Sequence, residues 1–81
     1  MKILAIYDNE GKTLDRYTIV TDFISGPKVG SRYTYEAISA SETGAGVFHW
    51  CQCYRGPHLG KKISFDSLAK ELQDKVKQAL A

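Results

Sequence analysis

Leu68, Leu72, Val76 and Leu80 recur every four residues at the end of an 81-residue chain, with Ala69 and Ala79 beside them. That spacing lines one side of a helix with an apolar stripe. A single short helix of this kind is marginal in water and has to lay its stripe on another element. The residues before it are rich in β-branched and aromatic side chains, so that element is a sheet. The expected fold class is α+β: a four- to five-stranded antiparallel sheet packed on one C-terminal amphipathic helix, with residues 1–81 forming one domain. A chain this short buries only about 60% of its unfolded surface, so its stability is expected to be modest.

The strands are read from alternation and from the residues that interrupt it. Met1 to Tyr7 is the first, and Asp8-Asn9-Glu10-Gly11 closes a hairpin, with Gly11 free to take positive φ. Thr13 to Thr21 is the second, with Leu14, Arg16, Thr18 and Val20 on one face and Asp15, Tyr17 and Ile19 on the other. Asp22 to Ser31, holding Gly26, Pro27 and Gly30, is expected to be a loop. Arg32 to Ser39 and Val47 to Tyr54 are the third and fourth strands, joined by a turn at residues 42–46. A break at residues 56–60 precedes a short extended piece, Lys61 to Ser64. Ser64, Asp66 or Ser67 would cap the helix, Ser64 with Ile63 and Leu68 as a hydrophobic staple. Glu71 and Lys75 are spaced for a favourable pair on its wet side.

Composition excludes more than it identifies. Hydrophobic content of 43% with 25% charge is that of a globular chain. The apolar run Ile3-Leu4-Ala5-Ile6 falls far short of the roughly 20 residues that span a bilayer. Nor is there the apolar core and cleavage site of a secretory signal, so no membrane is expected and the location is expected to be cytoplasmic. A net charge of +2 does not by itself point to nucleic acid. The basic character sits mid-chain, at Lys28, Arg32, Arg55, Lys61 and Lys62.

Three clusters carry candidate chemistry. His49, Cys51 and Cys53, with His58 behind, are zinc-ligand types. On a strand, however, His49 and Cys53 sit about 13 Å apart, beyond the reach of one ion unless the strand bulges. Cys51 and Cys53 have parallel Cβ vectors and do not suit a disulfide; both read as small buried hydrophobes. Gly56-Pro57-His58-Leu59-Gly60-Lys61-Lys62 is one residue short of a phosphate-binding P-loop, lacks its Ser/Thr and leads into a strand. What survives is a basic Gly-rich loop in which Arg55, His58, Lys61 and Lys62 hold an anion or a backbone phosphate. The aromatics are the third cluster. Tyr33 pairs with Tyr35 by alternation, and Phe48 with Trp50 and Tyr54. If both sets share the open sheet face they form a stacking surface or a partner anchor, flanked by Arg32 and Arg55; under the helix they are core. No acid pair or Ser/His/Asp spacing suggests catalysis, and no cofactor is implied.

Two segments carry a resemblance. Tyr7-Asp-Asn-Glu-Gly-Lys-Thr-Leu-Asp-Arg-Tyr-Thr-Ile-Val20 and His58-Leu-Gly-Lys-Lys-Ile-Ser-Phe-Asp-Ser-Leu68 resemble the opening and closing segments of a group of short uncharacterised bacteriophage and prophage proteins. Together they cover about half the chain. It departs from the group at Ala69, where the group often has proline. It departs again at Gly44-Ala45-Gly46 and His49-Trp50-Cys51, where the group has a PQGF stretch. The group has no assigned activity, so no catalytic residue carries over. The resemblance implies a small non-enzymatic binding module of phage type, such as an inhibitor of a host protein or of a defence system like CRISPR. Its expected partner is a protein, with nucleic acid as the alternative and a small Cys/His metal protein as a third reading. The residues expected to make contact are Arg32, Tyr33, Tyr35, Trp50, Tyr54, Arg55, His58, Lys61 and Lys62.

Overall fold

A computed structural model describes residues 1–26, 30 and 32–81. Five strands, β1 (Ile3–Asp8), β2 (Tyr17–Ile24), β3 (Tyr35–Ala40), β4 (Phe48–Cys53) and β5 (Lys61–Ile63), precede one helix, α1 (Lys70–Leu80). All strand pairs are antiparallel and the sheet order is β4-β3-β2-β1-β5. The first four strands thus form a meander, and β5 returns to the far side of β1. The α+β fold expected from the sequence is the fold observed. Among the described residues no helix is long and apolar enough to cross a membrane.

Register organises the two faces, because residues directly opposite one another in an antiparallel ladder share a face. One row runs Ile63, Ile6, Ile19, Ile38, Trp50 across all five strands, and its neighbour runs Lys61, Asp8, Tyr17, Ala40, Phe48. This is the face under α1. Ile6, Tyr17, Ile19, Ile38 and Ala40 bury themselves there against Leu68, Leu72 and Val76. The opposite face holds a smaller cluster, Ala5, Tyr7 and Val20, with Tyr35, Cys53 and Leu59 packed on it.

Several boundaries differ from the sequence expectation, each for a local reason. β2 begins at Tyr17 and not Thr13, because residues 9–16 close on themselves. The Asn9 amide N–H donates to the Arg16 carbonyl (3.0 Å), and its side chain reaches Thr13 Oγ1 (2.7 Å) and the Asp15 carbonyl (3.3 Å). At the other end Asp22–Ile24 belong to β2, where a loop was expected: Asp22 exchanges hydrogen bonds with Lys2 through its backbone N–H and its carboxylate (both 2.9 Å). β2 also bulges against β3 between Val20 and Ile24. The fully buried Thr21 tolerates this because its hydroxyl donates to the Glu36 carbonyl at 2.7 Å. Pro27, Lys28, Val29 and Ser31, part of the expected loop and of the mid-chain basic set, lie outside the described residues.

The helix starts later than expected, and none of Ser64, Asp66 or Ser67 caps it. Residues Phe65–Ser67 form a 3₁₀ turn, Ser64 and Ser67 share a hydroxyl bond (2.9 Å), and Leu68 is extended. Ala69 stands at the N-cap without a side-chain bond, and Gln73 Nε2 instead donates to the Leu68 carbonyl (2.9 Å). Burial of Leu68 under the sheet wins over continuing the helix. The charge pair on the wet side is Lys70–Asp74 (2.8 Å); Lys75, expected to pair with Glu71, donates to the Gly44 carbonyl (3.0 Å) and ties the β3–β4 turn to the helix. Gly60 leads into β5 at φ 101°, where any Cβ would collide with the Asp8 carbonyl oxygen.

Candidate functional site

The face away from α1 repeats the row pattern with different chemistry. Lys62, Tyr7, Thr18, Ser39 and His49 form one row, and Ala5, Val20, Ala37 and Cys51 the next. Alternation forces this: every second residue of β4 that does not face the helix is His49, Cys51 or Cys53. Over β3 and β4 these side chains floor a groove of about 500 Å³, walled by Thr18 and Asp15 on one side and by Tyr54, His58 and Leu59 on the other.

The wall is made by the break after β4. Pro57 opens a single 3₁₀ turn, Pro57–Leu59, which drops Leu59 onto the second cluster and lifts His58 outward. The His58 ring lies 5.0 Å from the Tyr54 ring at 47°, and the Arg32 guanidinium sits 5.1 Å over the same Tyr54 ring. Arg55 Nε donates to the Tyr7 hydroxyl at 3.1 Å, which fastens the loop to β1. Of the residues singled out from the sequence, Arg32, Tyr54, Arg55 and His58 come together here, and Lys62 shares the face beside Tyr7. Tyr35 is a half-buried support of the second cluster, and Tyr33, 46% exposed, precedes β3.

Trp50 and Lys61 are placed on the other side. Trp50 continues the isoleucine row under the helix yet stays 43% exposed, because α1 does not reach the end of that row. Lys61 stands opposite Asp8, whose carboxylate is held by Arg16 (2.8 and 3.0 Å). The Arg16 bond, with smaller help from the Glu10 N–H and Lys61, lowers the Asp8 pKa from its usual carboxylate value. The two aromatic sets therefore do not share a face: Tyr35 and Trp50 point to opposite sides, and Tyr54, beyond the end of β4, leaves the alternation of Phe48 and Trp50.

Both cysteines are free thiols. Cys51 Sγ lies 3.4 Å from Ser39 Oγ. Burial, reinforced by the neighbouring Cys51, pushes the Cys53 thiol up to about 11, so it is a poor nucleophile at neutral pH. Among the described residues no three His, Cys, Asp or Glu side chains gather in a way that holds a metal. The groove can thus offer hydroxyl, imidazole and thiol contacts beside a cationic and aromatic rim. Sequence reading missed Thr18, Ser39, Leu59 and Tyr7. All four depend on strand register or on how the loop docks, neither of which leaves a local pattern. Compared with known proteins, the chain matches no family model, no curated protein and no solved structure.

Proposed function

We propose that this protein is a non-catalytic binding module that recognises a partner protein through the groove side of its sheet. In line with the phage-type resemblance, the partner is a host protein that it inhibits, a component of a defence system such as a CRISPR effector being of that class. The reading rests on one observation: Arg32, Tyr54 and His58 pack against one another in an exposed rim beside a groove of mixed polarity. Arg and Tyr on a rigid support are the residue types that dominate protein-interface energetics.

Nucleic acid is less well served by this arrangement. A sequence-independent binder needs bases stacked on open aromatic faces along a continuous cationic track. Here one face of Tyr54 is covered by Arg32, Tyr35 is packed into the sheet, and Lys61 faces away beside Asp8. Asp15 adds negative charge to the groove wall.

Affinity capture from host lysate with the wild-type chain and with an Arg32→Glu/Tyr54→Ala variant tests the proposal. The expected result is a protein retained by the wild type and lost by the variant, its affinity falling at least about 30-fold, as for truncation of an interface hot spot. Anisotropy of a labelled oligothymidine, measured between about 50 and 200 mM salt, provides the opposing arm. Tight oligothymidine binding that collapses with salt and is abolished by the same variant would replace the protein reading with the nucleic-acid one.

A further inference from the structure

The sheet has two outer strands, and they are built differently. β5 is three residues long and two of them are lysines. Short length and edge lysines are the means by which sheets avoid pairing with other chains. β4 is six residues, FHWCQC, with no Asp, Glu, Lys, Arg, Pro or Gly. Its own sequence thus carries neither the shortness nor the charges and proline that protect such an edge.

The phase of the β3–β4 ladder fixes which backbone groups β4 turns outward. The Ser41 N–H donates to the Val47 carbonyl at 2.8 Å, in line with the ladder that pairs Ser39 with His49 and Ala37 with Cys51. Antiparallel partners alternate between mutually bonded and non-bonded pairs. His49, Cys51 and Cys53 therefore spend their N–H and C=O groups on β3, while those of Phe48, Trp50 and Gln52 point to the open edge.

We propose that β4 is a self-pairing edge: two copies of this chain join antiparallel through β4, about a two-fold axis at Trp50, into one continuous sheet. The second copy is the occupant because the outward groups are symmetric about Trp50. Phe48 of one copy meets Gln52 of the other, Trp50 meets Trp50, and every outward N–H and C=O finds a partner. No charged side chain meets its like across this seam, whereas the same operation on β5 would set lysine against lysine. The isoleucine row that ends in the 43% exposed Trp50 is then continued by the second indole. On the groove side His49 of one copy faces Cys51 of the other, which brings the two grooves side by side. This pairing is independent of what the groove binds.

Sedimentation velocity of the full chain over rising concentration tests it. A seam of this size predicts a reversible dimer, twice the 9.0 kDa chain mass, forming in roughly the 1–100 µM range. Trp50→Lys places two like charges at the axis, and Gln52→Pro removes an outward N–H that the β3 ladder does not use. Each is expected to weaken dimerisation at least about tenfold with circular dichroism unchanged, while Lys62→Thr on β5 and Tyr54→Ala on the groove rim leave it intact. Should either edge variant misfold, Trp50→Cys in a Cys51→Ser/Cys53→Ser background gives a covalent dimer on oxidation, and Lys62→Cys in that background does not. A wild-type chain that stays monomeric to about 1 mM, or a dimer indifferent to both edge variants, overturns the proposal.

Discussion

The two faces of this sheet are built to different ends: one is a core sealed by a helix, and the other is a shallower cluster beside a groove. Beneath α1 the rows are isoleucine, tyrosine and alanine, and Ile19, Ile38, Leu72 and Val76 are wholly excluded from solvent. On the other face the buried nucleus is smaller, Ala5, Tyr7 and Val20 with Ala37 beside them, and hydroxyls, thiols and imidazole line much of the groove over β3 and β4. The same five strands supply both, so the difference lies in what covers each side: an amphipathic helix on one, the β4–β5 connection at residues 54–60, fastened by Arg55, on the other. Packing energy concentrates where the helix lies, and the second face is left able to carry polar contacts.

The sharpest way to break this comparison is Leu72→Ala. The side chain sits at the centre of the helix-side cluster, so its loss is expected to cost about 3 kcal/mol. That is a large share of the ~5 kcal/mol that a domain of this size holds, and urea denaturation would show it as a much lower midpoint. A cost below about 1 kcal/mol would mean that the helix is not what stabilises the sheet. Tyr7→Phe probes the other face. It removes the acceptor of the Arg55 bond but keeps the ring, so about 1 kcal/mol is expected. The faster hydrogen exchange should be confined to residues 54–60, with the helix unaffected.

A third effect is confined to alkali and is absent at neutral pH. Cys53 is held as a thiol in the folded chain up to about 11, against 9.0 for an ordinary thiol. An unfolded chain therefore loses this proton first. Stability is unaffected below about pH 9 and declines as pH rises from there toward 11. Comparing urea midpoints of wild type and Cys53→Ala across that window isolates the contribution, since the variant should lack it. An identical alkaline slope in both would show that the second cluster does not shield this thiol.

How much of this was legible in the residues follows from how local each signal is. The stripe from Leu68 to Leu80 and the alternation of β1 to β4 are short-range patterns, and they located the helix and strands to within a few residues. The helix start was not legible, because Leu68 is buried by tertiary contact ahead of the helix and three polar residues offered equally plausible caps. The division of the aromatics was hidden for a related reason. Which way Tyr35 and Trp50 point depends on bulges and on pairing register, and a shift of one residue exchanges the faces. Arg32 and Tyr54 meet only because the β3–β4 hairpin brings together the segments at its open end.

The pairing of β5 with β1 has a consequence for how the chain is made. While the meander emerges from the ribosome, β1 is a rim strand whose backbone stays unpaired on one side until the stretch around Lys61 to Ile63 has been translated. The isoleucine row under the sheet also stays wet until Leu72 and Val76 follow. The domain thus acquires its stabilising layer only when its last elements, β5 and α1, have been made. Its folding is expected to be concerted, with no stable partial product formed from the meander alone.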